Sequence, residues 1–150
     1  MGSPRNFTPV TEQLRNAQAQ ERGAAAGHLL SVQEQLQAVE RGDFDSALGQ
    51  ARDDVELEIF APTFFPFITR ARGRAELRRA LEHNFSEVCD QAPEVAHVIA
   101  HDDVVVLIGS ERGTIRKTGT PYHVQSVHRF TFIDNALAHI RIIVAEAEQS

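Results

Sequence analysis

The stretch GTPYHVQSVHRFTFIDNALAHIRIIVAE, residues 119–146, decides the fold predicted for this chain. Two runs of alternating residues flank Asp134-Asn135, and this alternation is typical of β-strands with two different faces. An Asp-Asn pair supplies the positive φ angles that a tight hairpin turn needs. His128 is in phase with Phe130 and Phe132, so we expect its ring to point into a core or a cavity. The stretch therefore predicts a long hairpin with one inward-facing histidine.

Upstream of the hairpin, the pattern predicts helices first and strands later. Residues 1–27 read as an N-terminal extension, disordered over 1–7 and then partly helical from Thr8-Pro9, where proline follows a capping threonine. The main domain is predicted over 28–147, followed by a short tail at 148–150. Leu29, Val32, Leu36 and Val39 fall on one helical face, which makes the second half of the helix the packed half, and Gly42 is expected to end this helix.

The middle of the chain predicts a strand, an aromatic loop, a helix and then more strands. Near residues 55–59, apolar residues alternate with Glu56 and Glu58, which indicates a strand with one wet face. The loop APTFFPFITRARG (61–73) is too rich in proline for regular structure and too apolar for exposure, so it must cover another surface. A helix is expected at 74–90, followed by strands at 96–100, 104–110 and 114–117, with turns at Asp102-Asp103 and Arg112-Gly113.

This order of elements predicts an α+β fold. We expect a curved antiparallel sheet wrapped by about three helices, forming a cone with an internal cavity, as in a cystatin-like α+β barrel. Such cavities are common small-molecule sites, so function is to be sought there.

Composition limits the classes of partner. The 150 residues are 42% apolar, which is enough for one domain to bury a core without disulfide bonds or a structural metal ion. The single cysteine, Cys89, excludes an internal disulfide. No zinc pattern is found, so we expect no metal. A net charge of −6 argues against nucleic acid and anionic membranes. Without a signal-like start or a long apolar run, we expect a cytoplasmic protein.

Four segments resemble the nuclear transport factor 2-like superfamily, particularly its SnoaL-like and ketosteroid-isomerase-like branch. They are AVERGDFDSAL at 38–48, DDVELEIFAP at 53–62, RGRAELRRAL at 72–81 and TGTPYHVQSVHRFTFIDNALAHIRIIV at 118–144. The resemblance implies a hydrophobic pocket, a homodimer and acid/base chemistry without a cofactor. Since this superfamily hosts many activities, the fold does not decide among them.

The catalytic carboxylates that the resemblance implies are mostly replaced. Ketosteroid isomerases carry a basic aspartate near the position of Ile59, and SnoaL-like cyclases carry one at the position of Ala145. The Arg-x-Asp pair of related epoxide hydrolases falls near Gly109 and Glu111, where only the carboxylate half is kept. His128 falls approximately where ketosteroid isomerases use a protonated aspartate to donate a hydrogen bond to an enolate oxygen.

The candidate catalytic residues are therefore His128, Tyr122, Glu111 and Glu58. His128 is either an acid/base or hydrogen-bonding group for a ligand or a core histidine that a hydrogen bond satisfies. Tyr122 is the second hydrogen-bonding group, and the two glutamates are reserve bases. The predicted ligand-binding residues are Ser126, Phe130, Leu57, Ile59, Phe64, Phe67, Phe85 and Arg141.

Two functions stay open at this point. One is a polyketide-cyclase-like or isomerase-like enzyme that acts on a hydrophobic carbonyl compound without a cofactor; lyase or hydrolase chemistry is less favoured. The other is a non-catalytic ligand-binding or dimeric scaffold protein, which the apolar residues Ile59 and Ala145 favour.

Overall fold

The computed structural model describes residues 5–147, in which helices come first and a long meander of strands follows. The helices are α1 (Thr8–Gln20), α2 (Gly23–Glu40), α3 (Phe44–Ala47) and α4 (Arg74–Ser86). The strands are β1 (Ala51–Phe60), β2 (Arg70–Arg72), β3 (Val88–His101), β4 (Val104–Ile115), β5 (Thr120–Ile133) and β6 (Ala136–Glu146). The tail predicted at 148–150 lies outside the described residues. None of the helices within 5–147 is long and apolar enough to cross a membrane.

The six strands form one sheet in the order β2-β1-β6-β5-β4-β3. Neighbouring strands run antiparallel except β1 and β6, which run parallel. The sheet is curved and unclosed, and a single core cluster joins residues of its inner face to residues of all four helices. The predicted α+β fold is therefore confirmed.

The predicted hairpin turn is confirmed at Asp134 and Asn135, whose φ angles are 51° and 63°. Asn135 Oδ1 lies 3.2 Å from Nε2 of His28 in α2. The buried ring of His28 stacks on the ring of Phe132, with 4.3 Å between their centroids. The turn is therefore fastened to α2 by both a polar contact and an aromatic contact.

The segment before α1 is packed against the domain. Phe7 is buried, and its backbone N–H donates to the Glu40 carboxylate over 2.7 Å. The Asn6 N–H donates to the carbonyl oxygen of Gln91 in β3 over 3.1 Å. Residues 5–7, which we expected to be disordered, therefore belong to the folded domain, while residues 1–4 lie outside the described part. The predicted domain start at residue 28 falls inside α2.

The turn predicted at Arg112-Gly113 is wrong. Strand β4 continues to Ile115 and pairs with β5 without a register shift, and the turn lies at residues 116–119. Gly113 pairs with Tyr122 across the two strands. A Cβ at Gly113 would collide with the Tyr122 ring, so the glycine makes room for an aromatic ring and not for a turn.

Candidate functional site

A cavity of about 110 Å³ lies between the inner face of the sheet, α4 and the aromatic loop. Most of its wall is apolar and comes from β1, α4, β5, β6 and the loop. The polar side chains on the wall are Asn84, Gln91, Glu111, Ser126 and His128. Such a site combines an apolar enclosure with a few convergent polar groups, as small-molecule sites usually do.

Three of these polar residues share one face of the sheet because the register of β4 and β5 is uninterrupted. Val124 pairs with Glu111, and His128 pairs with Leu107, four residues before Glu111. Since alternate residues of a strand point the same way, Glu111, Ser126 and His128 face the same side. Four strand positions correspond to roughly 13 Å between the Cα atoms of Glu111 and Leu107. The side chains of Glu111 and His128 can therefore reach a small molecule from its two ends.

Glu111 is the half-buried carboxyl group of the cavity wall. The Tyr122 hydroxyl donates to Glu111 Oε2 over 2.6 Å, and Gln91 Nε2 donates to the same oxygen over 3.4 Å. Burial raises the pKa of Glu111, and these two hydrogen bonds offset only part of that effect. No cation among residues 5–147 contributes to the shift. The carboxyl therefore holds its proton at higher pH than an exposed glutamate does.

Tyr122 supports Glu111 from outside the cavity. Its ring lies over Gly113 and meets Phe65 edge to face, with 5.0 Å between the ring centroids. Burial raises the pKa of the Tyr122 hydroxyl above its usual value of 10.0, and the neighbouring Glu111 adds to this effect. The hydroxyl therefore stays protonated and acts as a donor, which makes Tyr122 a positioning residue for Glu111.

His128 presents a neutral imidazole to the cavity. Burial lowers its pKa to about 4, and no hydrogen bond or charge from the other described residues contributes to this shift. The ring meets Phe130 edge to face at 6.4 Å. At neutral pH one ring nitrogen carries a hydrogen and donates, while the other accepts. The geometry thus leaves both nitrogens available to a ligand.

The pH dependence of folding is expected to report this burial. The unfolded chain protonates His128 near pH 6.5 and the folded chain only near pH 4, so its contribution to stability is complete above pH 6.5. It is lost as the pH falls from 6.5 to about 4, by about 3 kcal/mol in total. Urea denaturation of the wild type and His128→Gln at matched pH values measures the difference.

The difference in stability between the wild type and His128→Gln reports the contribution of His128, because all other titrating groups are present in both proteins. Glu111, whose pKa is raised, acts in the opposite direction and weakens folding as the pH increases above its unfolded pKa. Stability curves of the two proteins that stay parallel from pH 7 to pH 4 would contradict a buried neutral His128.

The structure separates the predicted ligand-binding residues into two groups. Those that line the cavity are Leu57, Ile59, Phe67, Phe85 and Ser126. Those that do not are Phe130, which is buried in the core; Phe64, which is exposed in the loop; and Arg141, which lies on the opposite face of the sheet. Alternation along a strand predicts which face of the sheet a residue occupies. It does not predict where along the strand the cavity lies.

Glu58 lies on the outer face of the sheet and is separated from the cavity. Strand alternation places Leu57 and Ile59 inward and Glu58 outward. Glu58 Oε1 contacts His139 Nε2 at 2.8 Å and Arg141 Nη2 at 3.2 Å. Burial raises the pKa of Glu58, but the hydrogen bonds from these two residues outweigh it and hold the pKa below its usual range. Glu58 is therefore an ion-pair carboxylate.

Two polar residues of the cavity wall, Asn84 and Gln91, were not predicted from the sequence. The Asn84 amide accepts from the Ile68 N–H over 2.8 Å and donates to the Ile68 carbonyl over 3.0 Å, so it fastens the aromatic loop to α4. Its pairing with a single loop residue could not be seen from the helix pattern alone. Gln91 faces the cavity because β3 contains an irregularity that no residue pattern announced.

The family model for the SnoaL-like domain matches residues 32–140 of the chain. The chain belongs to the SnoaL-like domain family. The predicted membership is thus confirmed, and the matched region contains every wall residue of the cavity except Ile142 and Val144. Helix α1 of this SnoaL-like protein precedes the matched region.

Solved structures share the fold of this SnoaL-like protein. A protein from Burkholderia xenovorans described as NTF2-like is 22% identical with a TM-score of 0.67, covering 79% of this chain and 89% of its own. TerC, crystallised with polyporic acid, is 19% identical with a TM-score of 0.64, covering 79% and 92%. An epoxide hydrolase from M. tuberculosis described as LEH-like is 17% identical with a TM-score of 0.61, covering 79% and 83%. Comparison with curated proteins finds no match.

Proposed function

We propose that this SnoaL-like protein binds a small hydrophobic carbonyl compound in its cavity and isomerises it by proton transfer, with Glu111 as the acid/base group and no cofactor. The observation that carries the proposal is the Glu111 carboxyl group in an apolar wall. Tyr122 and Gln91 hold Oε2 and leave Oε1 outside their hydrogen bonds. A carboxylate with a raised pKa is a stronger base, which suits removal of a proton from carbon.

The proton transfer follows from the positions of the polar groups. Ionised Glu111 takes a proton from the carbon next to the carbonyl: the C–H bond breaks, an O–H bond forms at Oε1, and the electron pair moves to the carbonyl oxygen. The neutral His128 N–H donates a hydrogen bond to that enolate oxygen, and the Ser126 hydroxyl is a second donor. Return of the proton to another carbon gives the isomer and ionises Glu111 again.

The size of the cavity limits the ligand. An engineered apolar cavity of roughly 150 Å³ binds benzene, so the cavity of about 110 Å³ is by itself smaller than a benzene site. A second cavity of about 70 Å³ lies under α1 and shares Phe85, Glu111, Ser126 and His128 with the first. Phe85 therefore borders two spaces that meet at the same polar groups, and the two together have room for a single ring with a small substituent.

The proposal is tested with simple ring ketones. Calorimetry measures the binding of acetophenone and cyclohexenone, and NMR in D₂O follows deuterium entering the position next to the carbonyl. Binding with protein-dependent exchange supports the proposal. Absence of binding across a set of single-ring ketones would contradict it.

A binding protein without turnover is the second candidate. It is favoured by Ile59, which lines the cavity at the position where the resemblance implies a basic carboxylate. Ala145, the other such position, lies in a groove on the outer face. Ketone binding without deuterium exchange would favour this candidate over the isomerase.

We also propose that the protein works as a cytoplasmic homodimer through the outer face of the sheet. This face exposes Ile99 and Ile143 and carries Arg129 opposite Arg141. The Nε atom of Arg129 is buried and has no hydrogen-bond partner among residues 5–147. A second copy would cover the isoleucines, and the exposed Glu94 at the edge of this face offers a carboxylate to the arginines.

Light scattering after gel filtration is expected to give about twice the chain mass of 16.7 kDa. Ile143→Glu places a charge on the outer face and is expected to give the monomer mass. Ile133→Glu is the matched control, because Ile133 is also 47% exposed but lies beside the hairpin turn. A monomeric wild type would contradict the proposal.

A further inference from the structure

Gln91 is a polar residue of the cavity wall with an unused acceptor. Its side chain lines the cavity, and the residue is only 5% exposed. Its Nε2 donates to Glu111 Oε2, as described above. Its Oε1 is buried and has no hydrogen-bond partner among residues 5–147. A buried acceptor without a partner is unfavourable, and a ligand that donates to it would remove that cost.

A bulge in β3 turns Gln91 toward the cavity. Val88 faces the cavity, so regular alternation would direct residue 91 to the opposite face. Asp90 has a φ of 55°, and the pairing with β4 shifts between Cys89 and Ala92. The extra residue reverses the phase, so that Gln91 points inward. Bulges of this kind re-aim side chains and are frequent beside active sites.

The backbone carbonyl of Gln91 is also held in place. The Asn6 N–H donates to the Gln91 carbonyl over 3.1 Å, which ties this point of β3 to the segment that precedes α1. Since one amide nitrogen is fixed on Glu111, the orientation of the whole amide is fixed, and Oε1 is presented at a defined position.

We infer that Gln91 forms a second polar subsite, in which Oε1 accepts a hydrogen bond from a hydroxyl group of the ligand. The inference rests on the proposed function and narrows its ligand to a hydroxylated ring ketone. An amide oxygen accepts only from a donor, so a carbonyl or an ether oxygen on the ligand cannot satisfy it. The apolar wall disfavours a charged donor such as an ammonium group, so the donor is a neutral group, for which a hydroxyl on the ring is the simplest choice. Because the same amide binds Glu111, the hydroxyl lies beside the acid/base group.

Matched ligands test the subsite on the wild-type protein. Calorimetry compares acetophenone with its 2-, 3- and 4-hydroxy isomers and with the methoxy analogue of each. We expect one hydroxy isomer to bind about tenfold more tightly than acetophenone, the gain of roughly one hydrogen bond to a buried acceptor. The methoxy analogue of that isomer has no donor, so its affinity is expected to fall back to that of acetophenone. Because every ligand is compared on the wild-type protein, this test needs no variant to fold.

Gln91→Met assigns the preference to this residue. Methionine keeps an unbranched side chain and removes both polar atoms, so the preference for the hydroxy isomer is expected to disappear. Gln91→Met also removes the hydrogen bond to Glu111, so the result is the ratio of the two affinities, hydroxy isomer over acetophenone, and not either affinity alone. A hydroxyl preference that survives Gln91→Met would overturn the assignment.

The outcomes separate this inference from the proposed function. If acetophenone binds and exchanges deuterium but no hydroxy isomer binds better, the subsite is overturned and the isomerase proposal stands. If hydroxy isomers bind preferentially without exchange, the subsite is supported and the isomerase proposal fails. If no ketone binds, both are overturned.

Discussion

Glu111→Gln is expected to slow deuterium exchange into a bound ring ketone by at least about 100-fold, the usual contribution of a positioned acid/base group. Glutamine has nearly the same shape and can still accept the Tyr122 hydrogen bond, but it cannot take up a proton. The affinity for the ketone is expected to change little, because the apolar wall stays intact. NMR time courses in D₂O with saturating ketone measure the exchange rate, and calorimetry measures the affinity.

Glu58→Gln is the matched control for this experiment. It removes a carboxylate from β1 of the same sheet, but on the outer face, where His139 and Arg141 contact it. Exchange in Glu58→Gln is expected to match the wild type. Equal exchange rates in the wild type and Glu111→Gln would exclude Glu111 as the base and would assign the exchange to another group.

The position of Glu111 could be predicted from the sequence only in part. The hairpin pattern predicts which residues of β5 face the inside of the sheet. The residues of β4 that face inside then follow, provided that β4 pairs with β5 without a register shift. That condition holds from Val104 to Ile115, so Glu111 and His128 do face one side. Whether the pairing would be uninterrupted could not be read from Gly113, because glycine occurs both at turns and where a neighbouring side chain needs space.

Gln91 shows the opposite case, in which the register does change. The bulge depends on the left-handed conformation of Asp90 and on pairing with residues of β4 that lie 20 to 25 positions later in the chain. Neither is a local property of the residues, and the same segment was expected to be the end of a helix. A polar residue that reaches a cavity through a bulge is therefore visible only in the folded sheet.

Phe132→Ala is expected to destabilise the protein by about 3–5 kcal/mol, the usual cost of removing a buried phenylalanine ring. Phe132 is 2% exposed, and its ring stacks on His28 beside the Asn135 contact. Removing the ring leaves a cavity and takes away the apolar surface that covers a buried imidazole. Since a domain of this size is stable by only 5–15 kcal/mol, a change of about this size removes a large part of the total.

Urea denaturation followed by circular dichroism measures this loss, with Phe64→Ala as the control. Phe64 is 44% exposed in the aromatic loop, so its removal is expected to cost less than about 1 kcal/mol. The folded fraction of Phe132→Ala should still bind ring ketones, because Phe132 does not line the cavity. A loss below about 1 kcal/mol for Phe132→Ala would show that the hairpin holds its place without α2. The anchoring role of the His28 stack would then be excluded.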